Sequence, residues 1–185
     1  MEPTQQLEEI LPTITDLVDR LEPADLERST PCDDFQLVDV LDQLITLGGA
    51  FAWMYRGEVP PEIDPPERNG TVPAAEFRKT MDGLLDAVRS EGAMGRSIDS
   101  PLGEMPGETF ARLVAFEGVI HGWDIAASAG LDYAPSAELV ESVDTFARRA
   151  ITADMRDGDT FAGPTSPPAG ASALQKLVAF SGREV

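Results

Sequence analysis

The sequence is short of several residue types, and each shortage removes a class of explanation. Cys32 is the only cysteine, so no intrachain disulfide can form and a cytoplasmic home is the simplest expectation. Basic residues are outnumbered: Lys and Arg number 14 against 33 Asp and Glu, a formal charge of −19. Lysine occurs only at 79 and 176, and no basic cluster is denser than an adjacent pair such as Arg148–Arg149. Binding to a phosphate backbone or an anionic membrane rests on clustered basic side chains, so neither nucleic acid nor a membrane is an expected partner. The near-exclusive use of Arg hints at a GC-rich or salt-adapted genome and carries no mechanism. No uninterrupted apolar run approaches the roughly 18 residues that signal a membrane span. The opening Met1-Glu2-Pro3-Thr4 lacks the apolar core of a signal peptide. There is no internal repeat, no glycine-rich phosphate loop after a strand and no nucleophile elbow.

What remains is an ordinary globular composition, 42% hydrophobic and 25% charged, which predicts one domain over residues 1–185. Its periodicity is helical. Apolar residues at 7, 10, 11, 14, 17, 18 and 21 follow the spacing of a helix with one buried stripe. Pro12 falls inside that run, either kinking the helix or marking its start, and Pro23 ends the pattern. Asp33 and Asp34 are suited to capping a second helix, expected from Gln36 to Arg56. A rigid proline-rich loop from Pro60 to Pro66 separates it from a third helix, which begins near Pro73 and carries Phe77, Met81, Leu84 and Val88. The glycine- and proline-punctuated connection that follows has room for a short extended piece around Ser97-Ile98-Asp99. The fourth helix, Glu108 to Ala129, is apolar on almost every side, as expected of a helix covered by its neighbours, and Gly130 stops it. A fifth runs from after Ser136 to near Gly158, and a short last one covers Leu174 to Phe180. Long helices with scarce strand signals predict an all-α antiparallel four-helix bundle with a short extra C-terminal helix.

The chemistry concentrates in the fourth helix. At about 100° per residue, His121 lies about 40° to one side of Glu117 and Asp124 about 20° to the other. Phe110, Leu113 and Val114 share that face, so three ionisable side chains project from an apolar stripe. Carboxylates are costly to bury unless paired, hydrogen-bonded or bound to a metal. Glu and His at i, i+4 point the same way, about 6 Å apart, which suits two ligands of one divalent ion. A lone histidine on an apolar face is also commonly a satisfied core residue, and spacing alone does not separate the two readings.

Three stretches read together carry a resemblance. Thr30-Pro31-Cys32 with Phe35-Gln36-Leu37-Val38-Asp39-Val40-Leu41 resembles the T-P-C-x-G-W-x-V-x-x-L-L-x-H opening of a bacterial family. Glu117-x-x-x-His121-Gly122-Trp123-Asp124 looks like its E-x-x-x-H-x-W-D, and Leu174 to Arg183 resembles its closing L-x-x-L-x-x-x-x-G-R. The family is the DinB/YfiT-like four-helix-bundle metalloproteins, in the actinobacterial branch related to the metal-binding domain of mycothiol-dependent maleylpyruvate isomerase. The resemblance implies a divalent metal, zinc or nickel, held by two histidines and a carboxylate. It also implies a low-molecular-weight thiol such as mycothiol, and transferase or isomerase chemistry on a small-molecule substrate. Glu117 and His121 inherit two ligand positions. The third falls on Gln43, where the family has histidine, and Phe35 and Asp34 replace the family Trp and Gly. Gln43 offers a neutral amide oxygen, a poorer ligand than imidazole for zinc or nickel, and its place at the edge of the apolar stripe suits a metal-facing or a solvated side chain.

Asp124 is open to two roles, a third ligand or a structural partner of an arginine. Cys32 reads as a loop residue packed against the bundle, with a reactive thiol as its alternative. The Arg148–Arg149 pair reads as a solvated helix face. Against the metal-dependent enzyme stands a second hypothesis from a different class: a degenerate, metal-free bundle acting as a small-ligand-binding protein or a homodimer.

Overall fold

The computed structural model describes residues 1–32, 35–61, 69–100, 102–156 and 161–185. The order is α1 (Pro3–Val18), α2 (Leu37–Arg56), α3 (Ala74–Arg89), β1 (Ser97–Ser100), β2 (Gly103–Pro106), α4 (Gly107–Ala129), α5 (Ala137–Ala150) and α6 (Ala173–Phe180). α1 and α2 each pack against both α3 and α4, so these four form the bundle with α1 and α2 on its diagonal. α5 covers α4, and α6 lies on α5.

Each helix follows from its residues. α1 starts at Pro3, earlier than its apolar stripe, because the Glu2 N–H donates to Gln5 Oε1 at 3.1 Å and closes the first turn. It runs unbroken through Pro12, which is exposed, so the hydrogen bond that proline cannot make is missing on the solvent side. It ends at Val18, leaving Leu21 buried beyond the helix. The expected caps Asp33 and Asp34 lie outside the described residues, as does most of the Pro60–Pro66 loop. α2 is instead closed from inside, with Asp39 Oδ2 accepting the Gln36 N–H at 2.8 Å. α5 stops at Ala150, short of Gly158, and its last turn gives way to irregular chain from Ile151. Ser136 caps its start by accepting the Leu139 N–H, and Glu9 of α1 in turn accepts from the Ser136 N–H and hydroxyl.

The extended piece around Ser97 is one arm of an antiparallel hairpin, Ile98 pairing with Met105. The bundle is otherwise helical, and α4 is its centre: 15 of its 23 residues are buried, with contacts to α1, α2 and α5. Among the described residues, α2 alone is long and apolar enough to cross a membrane by length and composition, with a mean hydropathy of 1.3. A bundle helix passes the same test, and here α2 is packed on α3 and α4.

Candidate functional site

α4 presents Glu117, His121 and Asp124 along one face, as its periodicity predicts. His121 is buried and lies between the two carboxylates: Nδ1 is 3.2 Å from Asp124 Oδ2 and Nε2 is 3.4 Å from Glu117 Oε2. A carboxylate oxygen accepts and does not donate, so Nδ1 carries its hydrogen toward Asp124. That leaves Nε2 as the atom whose state varies, with a proton toward Glu117 or a lone pair toward an ion. Burial pushes the imidazole down, but hydrogen bonds to Asp124 and Glu117 and the charges of both outweigh it, raising its pKa to about 9.

Asp124 is fully buried and its other partner comes from the far end of the chain. Arg183, just beyond α6, grips it bidentately, Nη2 to Oδ2 at 3.0 Å and Nε to Oδ1 at 3.3 Å. The structural role left open for Asp124 is therefore the one its geometry shows, with an arginine as expected, and the closing G-R of the sequence supplies it. The C-terminal end of α6 sets the position of that arginine, whose N–H donates to the Val178 carbonyl at 3.3 Å. The run Glu117–His121–Asp124–Arg183 alternates in charge from a half-exposed end to a buried one.

Glu117 and His121 open onto a cavity of about 270 Å³, and Gln43 of α2 lines the same space. Gln43 is thus on the cavity side of α2, half-buried, rather than on its solvated face. Among the described residues no group of three or more His, Cys, Asp and Glu is arranged to hold a metal. The donors available to a cation are one imidazole nitrogen, one carboxylate and one neutral amide. Asp124 behind the imidazole fits such an occupant, because metal-bound histidines hold the other ring N–H on a carboxylate. This donor set fits a divalent ion with two strong protein ligands and one weak one.

None of the remaining sequence candidates lines that cavity. Cys32 is half-buried against the core, its N–H donating to Thr30 Oγ1. Arg148 bonds Asp144 at 2.9 Å and lies 4.7 Å over the Phe180 ring. Arg149 borders an open groove beside α5 together with Glu138 and Glu141. Gly122, between the histidine and Trp123, is present for space. A Cβ there would come within 2.5 Å of the Tyr133 hydroxyl, which donates to the Val119 carbonyl at 3.1 Å. Gly122→Ala is expected to displace that ring and lower stability by about 1–3 kcal/mol, seen as a lower urea midpoint with an unchanged slope.

The helical bundle, with an acid–imidazole pair on the wall of its cavity, shares the DinB-like fold. Within it, the chain belongs to the mycothiol maleylpyruvate isomerase N-terminal domain family, whose profile matches residues 7–126. That span includes Gln43, Glu117, His121 and Asp124 but stops short of Arg183. An uncharacterised protein of Mycobacterium tuberculosis, found in two strains, is 29% identical over 158 residues, covering 84% of each chain. Two solved structures share the fold at a TM-score of 0.58: mycothiol-dependent maleylpyruvate isomerase at 16% identity, and a histidine-to-alanine mutant of it at 13%. Each match covers 77% of this chain and 66% of the other.

Proposed function

We propose that this protein is a single-domain, cytoplasmic metalloprotein that binds zinc or nickel through His121 and Glu117, with the Gln43 amide oxygen as a third, weaker ligand. Its proposed reaction is a thiol-dependent transfer or isomerisation on a small molecule, with a mycothiol-type cofactor. The observation that carries the reading is the Asp124-held imidazole, whose Nε2 faces Glu117 on the cavity wall. A divalent cation bound there supplies Lewis-acid polarisation of a substrate oxygen or a seat for a thiolate. The chain's own residues do the rest. Asp124 fixes the ring's tautomer and orientation, and Arg183 holds the buried Asp124 carboxylate in place from its other side. Glu117, with its side chain 43% exposed, stands where the cavity meets solvent, within reach of an incoming ligand. The apolar walls limit competing water.

Elemental analysis of untagged protein purified without chelator tests this. About one metal per chain in the parent, and none in Glu117→Ala, is the expected result. Protein that takes up no Zn²⁺, Ni²⁺ or Mn²⁺ even after loading sinks it. Gln43 favours the second reading, a metal-free ligand-binding or dimerising bundle in which an imidazolium bridges the two carboxylates. Under that reading Gln43→His creates a metal affinity that the parent lacks. Under the first, the same change strengthens an existing affinity by about tenfold or more, imidazole being the better donor.

A further inference from the structure

Among the described residues that line the cavity, only Gln43, Ser100, Glu117 and His121 are polar, and none is Lys or Arg. Ser100 is already engaged, donating to the Gly103 carbonyl and accepting the Leu102 N–H. The Arg183 guanidinium behind His121 is already paired with Asp124 and does not line the space. An entering anion therefore meets no unmatched cation among these residues, and an unpaired carboxylate in apolar surroundings is strongly disfavoured. The protein's charge of −19 adds a repulsive field outside.

The rest of the lining is apolar and partly aromatic. Phe51 and Phe110 meet edge to face at 4.8 Å, and Phe161 also borders the space. The apolar surface continues outward, since Leu47 and Leu102, 38% and 40% exposed, are both lining residues. On α2, the apolar side chains Leu44, Leu47 and Phe51 are not buried and face the cavity. At about 270 Å³ the space is not quite twice the ~150 Å³ cavity that admits benzene.

We infer that the site takes a neutral, mainly apolar molecule with a body of about two rings and one hydrogen-bonding group turned toward Glu117 and His121, and that it discriminates against dicarboxylates. This rests on the reading of the cavity as the binding site and specifies what it selects. Even with a divalent cation between His121 and Glu117 to receive one carboxylate, a second would lie unpaired against the phenylalanine and leucine walls.

Fluorescence of N-phenylnaphthylamine, a neutral two-ring-system reporter, tests the inference on the full chain. Naphthol is expected to displace it at a concentration at least about tenfold lower than naphthalenedicarboxylate. Leu113→Trp, which fills the cavity, should weaken the reporter by about tenfold or more. Leu47→Arg, at the exposed rim, should leave the circular dichroism spectrum unchanged and narrow the naphthol preference by about threefold or more. If Leu113→Trp fails to fold, Leu47→Arg decides. A dicarboxylate that competes as well as naphthol, or a reporter indifferent to both variants, overturns the inference. The titrations are run on chelator-treated and zinc-loaded protein. Naphthol binding without zinc uptake sinks the metal proposal and upholds this one, whereas zinc uptake without naphthol binding does the reverse.

Discussion

Asp124→Ala is expected to lower the stability of the chelator-treated protein by about 3–5 kcal/mol, the range for removing one partner of a buried ion pair. Asp124 has no exposure and the Arg183 side chain is 16% exposed, so water replaces the lost carboxylate around the guanidinium only in part. The same change removes the acceptor from His121 Nδ1. Two buried donors are stranded at once, each with its own desolvation penalty. Arg183→Met should cost less, since the imidazolium still offsets Asp124 after the guanidinium is gone. In the double variant the two losses overlap, and the coupling should reach about 1–3 kcal/mol in a double-mutant cycle measured by urea denaturation. Strictly additive losses would mean that the pair in the structure is not a working unit.

The second large effect is on pH dependence. In metal-free protein the His121 pKa is raised from 6.5 to about 9, so folding is linked to proton uptake. Its contribution is complete below pH 6.5, where the unfolded chain is protonated too, declines as pH rises above that, and is gone once pH passes about 9. At about 1.36 kcal/mol per unit, the loss across that window is on the order of 3 kcal/mol. Urea midpoints measured from pH 6 to 10 should fall accordingly, and His121→Gln should flatten the profile. A midpoint that stays level in the parent would mean that Nε2 is not protonated toward Glu117 when metal is absent. Saturating zinc should also flatten the curve, because the ion and the proton contend for the same nitrogen.

Local pattern carried most of the architecture. The three-four spacing in α1, α2, α3 and α5 and the all-round apolarity of α4 made the bundle legible, and the i, i+4, i+7 offsets placed Glu117, His121 and Asp124 on one face. The β2 arm escaped because Gly103-Glu104-Met105-Pro106 has neither alternation nor β-branched residues; its strand state is imposed by pairing with Ser97–Ser100. The early start of α1 depends on Gln5 reaching back to Glu2, a polar signal outside the apolar stripe. The side of α2 that Gln43 takes could not be read from its own helix, since that position borders both faces and the cavity exists only once α1, α3 and α4 are assembled. Asp124 could be assigned a basic partner in kind, but which arginine depends on a contact across 59 residues of sequence. The apolar stripe of α2 looked like core throughout, although Leu44, Leu47 and Phe51 line the cavity in the fold.

The grip of Arg183 on Asp124 also sets an order of events during synthesis. Translation delivers α1 to α4 first, and these elements already contain Gln43, Glu117, His121 and Asp124. Until the ribosome has made α6 and the residues after it, the nascent bundle holds Asp124 with the imidazole as its sole basic neighbour of the two it has in the finished fold. Most of the cavity wall can therefore form early, while Phe161 joins it later and the ring beside it is locked last. Between those two moments the newborn chain is a bundle whose acid–imidazole pair is assembled but not yet anchored.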